Sequence, residues 1–562
     1  MTNRSYVSGA SSIPLLGQTI GAALDAAAER WAKHPALVVR DQNVRWTYEE
    51  LQEQVDAFAI GLLALGLKRG DRLGIWSPNN SEWVVSQFAS AKIGVILVTI
   101  NPVYRTAELS YALRKVGCKA LVAATEFKGS RYFDMLRELA PELSQCEPGK
   151  LSSEALPDLE VVIQIGGPQE KGALPFDAVS KLGAVQHESD LREISSRLQF
   201  DDAINIQFTS GTTGAPKGAT LTHHNILNNG YFAGVAMGLT PQDRLCIPVP
   251  FYHCFGMVLS NLACVAHGST MVVPGAAFDP LEVLKTIEAE RCTALHGVPT
   301  MFIAELEHPE FSSFDLSSLR TGMMAGSPCP VEIMRRVIGQ MGAKEITIGY
   351  GMTETSPTSF QTGRDDTLDR RVSTVGRVHP HVEVKIVDAQ GHIVPFGTVG
   401  ELCTRGYSIM KGYWADETRT AEAIDQDGWM HTGDLATLDA GGYCNIVGRI
   451  KDLVIRGGEN VYPREIEEYL YAHPKIQDVQ VFGVPDKRYG EELCAYICLK
   501  AGERATDEEI RAFCRGQIAH YKIPRHIRFV ETFPTTVTGK VQKFVMRQQM
   551  IDELGLAEVR TA

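Results

Sequence analysis

Residues 206–218 read Ile-Gln-Phe-Thr-Ser-Gly-Thr-Thr-Gly-Ala-Pro-Lys-Gly. The apolar segment 204–208, with its β-branched members, predicts a short strand that stops abruptly in hydroxyl residues, glycines and one lysine. Gly211, Gly214 and Gly218 allow backbone N–H groups to approach a ligand closely; Thr209, Ser210, Thr212 and Thr213 add hydroxyl donors, and Lys217 adds charge. This is an anion loop suited to a triphosphate. It is not the G-x-x-x-x-G-K-[ST] loop, because counting from Gly211 puts Pro216 at the second glycine and Gly218 at the hydroxyl position. Nor is it the dinucleotide fingerprint: the nearest G-x-G-x-x-G match, at 349–354, has Glu354 at its third glycine.

Other clusters offer complementary groups. In Tyr350-Gly351-Met352-Thr353-Glu354, Thr353 can donate to a phosphate and Glu354 can hold a hard cation through oxygen, as Mg²⁺ prefers. A helix N-terminus with a glutamate near its dipole is the plainer alternative. Ala325-Gly326-Ser327-Pro328 is a small-residue loop able to approach a flat purine, although Gly-Ser-Pro is also a common turn. His431-Thr-Gly-Asp434 offers a fixed carboxylate that could accept both hydroxyls of a ribose; an ordinary turn before a strand competes. Arg449 carries a planar fork for ribose or phosphate oxygens. Lys540, in Thr538-Gly-Lys540, would gain about 4 kcal/mol beside a phosphate charge at ~4 Å and an effective dielectric near 20. Most late-chain lysines are simply solvated.

Taken together, these residues resemble the adenylate-forming superfamily of acyl-CoA synthetases, peptide-synthetase adenylation domains and luciferases, over about residues 20–550. The resemblance implies ATP, Mg²⁺ and coenzyme A. It implies that Thr209, Ser210, Gly211, Thr212, Thr213, Gly214 and Lys217 cradle phosphates, and that Gly326, Ser327, Pro328, Tyr350 and Gly351 line the adenosine. Thr353 would serve the α-phosphate, Glu354 the metal, Asp434 and Arg449 the ribose, and Lys540 the adenylation step. It puts a hinge at Lys451, where many relatives carry Asp, and assigns Gly457 and Gly458 to a thiol tunnel. Thr535-Thr536 departs from the usual Pro-Lys/Arg-Thr run before the last loop.

Residues 251–256 follow a predicted strand and should reach the carboxylate side of the pocket, which makes His253, Phe255, Gly256, Met257 and Gly349 the candidates for the acid; a packed aromatic cluster is the alternative for His253. An amino-acid-activating relative usually places an aspartate near 251–256 to pair the substrate ammonium; none stands there, so a buried ammonium would be unpaired. Phe255, Met257, Met323, Met324 and Met352 suggest an apolar, deformable pocket. His296-Gly-Val-Pro-Thr-Met301, 325–330 and 352–357 resemble in particular the bacterial relatives of acyl-CoA synthetase family member two, which implies aliphatic acids of short to medium length. Aryl acids such as hydroxycinnamates are the alternative substrates. A non-catalytic nucleotide-binding scaffold and a kinase- or GTPase-like phosphoryl transferase are the rivals from other classes; a scaffold would be expected to lose Lys217, Glu354 or Lys540, and all three are present.

The elements that must position these groups follow from periodicity. Thr47-Tyr-Glu-Glu50 is a capping box opening a helix with Leu51, Val55, Phe58, Leu62 and Leu65 at helical spacing. Apolar runs at 72–76, 94–100, 120–123 and 159–165, then 244–250, 269–273, 293–298, 319–324 and 345–349, alternate with helical patterns, predicting an α/β fold with largely parallel sheets. Ligands bind at the C-terminal edge of such sheets, where the clusters above fall. Beyond 375 the pattern predicts a small β unit, with strands at 382–387 and 400–404 and a hairpin about 439–442. Residues 1–448 are read as the domain for ATP and acid, 449–452 as a hinge, and 453–562 as a small mobile α+β lid. In the lid Pro463 opens a helix, 478–484 and 492–499 are strands, and Thr506 caps a helix presenting Ile510, Phe513, Cys514 and Ile518.

The 562 residues suffice for several cores. A formal net charge of −12 argues against nucleic-acid binding, and the charge is uneven: +1 from Arg449 onward, −13 before it. The lid is therefore the less repulsive side for a polyanionic thiol substrate. The twelve cysteines lack paired spacing and are read as reduced packing residues. No apolar run reaches the roughly 18 residues of a membrane span, and no signal or transit pattern opens the sequence, so a cytoplasmic chain is expected, with a homodimer among the assemblies open to it.

Overall fold

The computed structural model describes residues 3–183, 185–209, 216–327, 329–457, 459–536 and 541–556, without the side chains of 185–187. Ser210, Gly211, Thr212, Thr213, Gly214, Pro328, Gly458 and Lys540 lie outside the described residues.

Two large sheets carry the first part of the chain. One runs Leu174–Pro175, Val161–Ile165, Ala120–Ala124, Arg72–Trp76, Ile96–Thr99, Ala203–Thr209, Lys217–Thr222, Gly412–Tyr413, parallel as far as Ala203–Thr209 and antiparallel thereafter. The other is parallel from Thr347–Gly351 through Thr321–Met324, Ala294–Gly297, Arg244–Cys246 and Thr270–Val273 to Pro35–Val39, with antiparallel strands at both edges. Strands such as Ala120–Ala124 and Ala294–Gly297 are buried along their whole length, which is why they read as unbroken apolar runs.

Helices Ile20–Trp31, Tyr48–Ala64, Ser81–Lys92 and His223–Met237 contribute to a core shared by the two sheets. The second of these has the predicted capping box, Thr47 with Glu50. Lys92 is almost wholly buried on the third, where Asp25 of the first helix and Asp56 of the second both take its ammonium. An unpaired charge there would be costly, so the lysine locks three helices in one arrangement.

His223, also buried, accepts the Ile20 N–H at Nδ1 (3.1 Å) and so ties the starts of two helices together. Burial lowers its pKa to about 4. The unfolded chain therefore protonates first, and the stability present above pH 6.5 is lost as pH falls toward 4. We expect His223→Asn, whose carbonyl can still accept, to lose roughly 2 kcal/mol less than the native chain between pH 7.5 and 5. Urea midpoints at the two pH values read this difference; an unchanged pH dependence would contradict it.

A third, antiparallel sheet orders Tyr6–Ser8, Val382–Val387, Gly400–Gly406, Met430–Leu438 and Cys444–Arg449. The N-terminal strand in it has no sequence signal beyond three residues. The fourth sheet, Glu459–Val461, Val454–Arg456, Gly490–Leu499 and Ile476–Asp486 with His526–Phe529, has a core of its own around Val479, Val481, Leu493 and Ile497. Pro463 opens the helix Pro463–Tyr471, and Thr506 caps Asp507–Cys514. That helix stops before Ile518, which packs on the same core from the following turn. All twelve cysteines are free thiols, eleven of them buried. Among the described residues no helix is long and apolar enough to cross a membrane.

Candidate functional site

The strand Ala203–Thr209 ends at the anion loop, and Lys217–Thr222 returns antiparallel to it, pairing Thr209 with Lys217. The two described strands flanking the loop are thus antiparallel neighbours in one sheet. Gly412–Tyr413 adds beside the returning strand, which puts the Tyr413 ring 4.6 Å from the Lys217 ammonium. The Tyr413 hydroxyl donates to Glu354 Oε1 at 2.8 Å, and Thr209 Oγ1 donates to the same oxygen at 3.3 Å. Burial, reinforced by the Glu354 carboxylate, pushes the Tyr413 phenol well up, so it stays a donor. One carboxylate, two hydroxyls and one ammonium therefore converge beside the loop. Sequence reading missed Tyr413; its only signal is a short Gly-Tyr-Trp segment whose strand pairing is remote in sequence.

The Tyr350–Glu354 segment departs from expectation. The strand runs Thr347–Gly351, so Tyr350 and Gly351 are inside it, and it turns back into Thr358–Gln361 through a 3₁₀ turn Thr353–Thr355. Gly351 is required by this turn: a Cβ there would lie 1.7 Å from the Pro357 carbonyl oxygen. Glu354 is 5% exposed, and its own carbonyl takes the Met410 N–H at 3.0 Å. Thr353 is buried with its hydroxyl 3.8 Å from the Cys254 sulfur.

Tyr350 reaches the other way, donating its hydroxyl to Asp434 Oδ2 at 2.5 Å, while Arg449 Nε donates to Asp434 Oδ1 at 3.1 Å. Asp434 and Arg449 are cross-strand partners in the third sheet. Asp434 lies inside the strand Met430–Leu438, not in a turn before it. Gly326, with φ +87°, and Ser327 follow the strand Thr321–Met324.

His253 Nδ1 accepts the Phe255 N–H at 3.3 Å and caps the short helix Cys254–Gly256. Gly256 lets that helix approach residue 250, whose carbonyl oxygen would stand 2.3 Å from an added Cβ. Phe255, Met257 and Met323 are buried in one cluster, whereas Met324 points into another core, because neighbouring strand residues face opposite ways. The predicted methionine pocket therefore does not include Met324. Met352 is partly buried beside the 3₁₀ turn. His296 meets Ser260 Oγ (2.9 Å) and Met237 Sδ (3.2 Å), and burial lowers its pKa to about 3, so it stays neutral. Gly349 sits against Met323, whose sulfur a Cβ would meet at 2.7 Å.

Lys451 lies in the exposed 3₁₀ turn Ile450–Asp452 that follows Arg449, and Gly457 (φ +60°) sits at the turn between Val454–Arg456 and Glu459–Val461. Thr535 and Thr536, next to the segment containing Lys540, close a cavity of about 290 Å³ with Pro78, Tyr252, Thr300 and Met301. Thr535 and Thr536 thus line the same cavity as residues that follow the strands Arg72–Trp76, Arg244–Cys246 and Ala294–Gly297. Thr209, Tyr413 and Glu354 form a hard oxygen set, the donor chemistry Mg²⁺ takes.

Family models described as AMP-binding enzyme and AMP-binding enzyme C-terminal domain match residues 24–414 and 465–540. A Danio rerio protein named medium-chain acyl-CoA ligase ACSF2, mitochondrial, is 50% identical over 555 residues, 98% of this chain and 91% of its own. The putative acyl-CoA synthetase YngI of Bacillus subtilis (strain 168) is 50% identical over 544 residues, 97% of this chain and 99% of its own. Among solved structures, the anthranilate CoA ligase AuaEII in complex with anthranoyl-AMP superposes with a TM-score of 0.85 at 28% identity, covering 97% of this chain and 99% of that one. ATP-bound MatB from Rhodopseudomonas palustris does so with 0.82 at 27%, covering 96% and 100%.

Proposed function

The chain belongs to the family of AMP-binding enzymes, and we propose that it joins medium-chain fatty acids to coenzyme A by way of an acyl-adenylate. The observation that supports the site reading is that one short segment meets both candidate clusters: Tyr350 donates to Asp434, and Glu354, four residues on, accepts from Thr209 and Tyr413. In this reading a ribose reader and a phosphate and cation site share one strand end. A non-catalytic scaffold would be expected to lose Lys217, Glu354 or Lys540, and a phosphoryl transferase would release ADP or GDP in place of AMP and pyrophosphate.

In this reading an oxygen of the acid attacks the α-phosphorus of ATP and pyrophosphate leaves; the thiol of coenzyme A then attacks the acyl carbon and AMP leaves. The loop 209–214 and Lys217 hold the phosphates, Thr353 donates to the α-phosphate, and Gly326, Ser327 and Pro328 flank the adenine. Asp434 accepts the ribose hydroxyls with Arg449 beside it. Mg²⁺, held through Glu354, would neutralise phosphate charge. Lys540 would stabilise the charge developing in the first step, and the lid, turning about Lys451, would bring Gly457 and Gly458 to the thiol for the second. His253, Phe255, Gly256, Met257 and Gly349 border the acid.

Tyr413→Phe tests the phosphate end: it keeps the ring beneath Lys217 and removes one hydrogen bond to Glu354. We expect kcat/KM for ATP to fall about tenfold, read from initial rates at saturating acid; an unchanged value would remove Tyr413 from the site. The acid is tested by acyl-CoA formation across butanoate to dodecanoate and the hydroxycinnamates. We expect the highest kcat/KM between hexanoate and decanoate, each buried methylene contributing about 0.8 kcal/mol. A hydroxycinnamate optimum would replace the fatty acid reading with the aryl one.

A further inference from the structure

The pairing of Gly400–Gly406 with Met430–Leu438 is broken at one place. Glu401 faces Leu435, but Cys403 faces His431, so two steps along one strand correspond to four along the other. The surplus throws Thr432, Gly433 and Asp434 out of register as a bulge, the device by which a sheet re-aims a side chain. Gly433 takes the left-handed conformation, φ +68°, that the bulge needs.

A bulge leaves ladder groups to be satisfied otherwise, and here side chains do so. Thr432 Oγ1 donates to the Leu402 carbonyl at 2.7 Å and accepts the Asp434 N–H at 3.1 Å. Glu401 spans the rest: Oε1 accepts the Gly433 N–H at 3.2 Å and Oε2 lies 3.0 Å from His431 Nδ1. His431 in turn has Nε2 3.7 Å from Asp425 Oδ2. From this geometry we propose that Glu401 is a positioning residue, which holds the bulge closed through Gly433 and His431 and so aims Asp434 at the nucleotide.

Glu401, Cys403 and His431 also bring their donor atoms within 4.8 Å of one another, a spacing a metal ion could use. The hydrogen bonds account for the cluster without one. Each Glu401 oxygen already meets a nitrogen of the bulged strand, and burial keeps the Cys403 thiol protonated, its pKa pushed up to about 12.

The proposal rests on the reading of Asp434 as the ribose ligand, so the test separates the two. The quantity is discrimination: kcat/KM for ATP divided by that for 2′-deoxy-ATP and for 3′-deoxy-ATP, with KM for the acid and the thermal midpoint measured alongside. In Asp434→Ala both ratios should fall to near one. In Glu401→Ala they should fall roughly 5- to 10-fold, with KM for the acid within about twofold of wild type. Glu401→Gln should recover most of the discrimination, since its amide can accept from Gly433 and donate to His431 Nδ1. Should the alanine variant fail to fold, Glu401→Asp, one methylene short of Gly433, carries the same expectation. Wild-type ratios in the Glu401 variants, with loss in Asp434→Ala, would overturn the positioning role alone. Wild-type ratios in Asp434→Ala would overturn the ribose reading, and the proposal with it.

Discussion

Lys540→Ala is expected to slow acyl-adenylate formation by roughly 10²–10³-fold while leaving thioester formation from supplied acyl-adenylate within about threefold of wild type. The asymmetry follows from what each half-reaction asks of the lid. The first builds negative charge on a pentavalent phosphorus and departing pyrophosphate, where an ammonium at about 4 Å gains on the order of 4 kcal/mol before desolvation. The second needs a thiol beside the acyl carbon and no cation at the departing phosphates. Lys540 lies outside the described residues; Thr535 and Thr536, a few positions before it, line one cavity with Tyr252 and Met301. Single-turnover measurements of the two half-reactions check this, and equal losses in both would remove the lid rotation from the account.

Glu354→Gln should cost the first half-reaction roughly 10²-fold and raise the Mg²⁺ concentration needed for half-maximal rate by about tenfold. The side chain keeps its volume, so Tyr413 and Thr209 can still donate to its carbonyl oxygen. What it loses is charge. Any rate loss with unchanged Mg²⁺ dependence would make Glu354 a buttress for Tyr413 instead of a cation ligand. A Mg²⁺ titration of pyrophosphate release distinguishes the two.

The parallel strands were legible because both faces are buried and their side chains are accordingly apolar throughout, as at Ala120–Ala124. Local caps were legible for the same kind of reason: Thr47, Thr506 and Pro463 act within four residues of themselves. The candidate phosphate and ribose groups could be named from residue type and from the family resemblance. How they meet could not. Tyr413 joins Glu354 only because a two-residue strand comes back beside Lys217–Thr222 after some 190 residues of chain. Likewise Glu401 serves the bulge at Gly433 through a register shift that periodicity alone does not reveal. Met324 shows the converse, since its type suited an acid pocket while strand alternation sends it into a separate core.

All of this depends on one chemical event, the joining of an acid to AMP before coenzyme A takes part. Exchange of labelled pyrophosphate into ATP, measured without coenzyme A, tests it most directly. The expected result is exchange that depends on octanoate, is absent without acid, and falls at least about 10²-fold in Glu354→Gln. Acyl-CoA formation without any acid-dependent exchange, or release of ADP in place of AMP, would contradict the account.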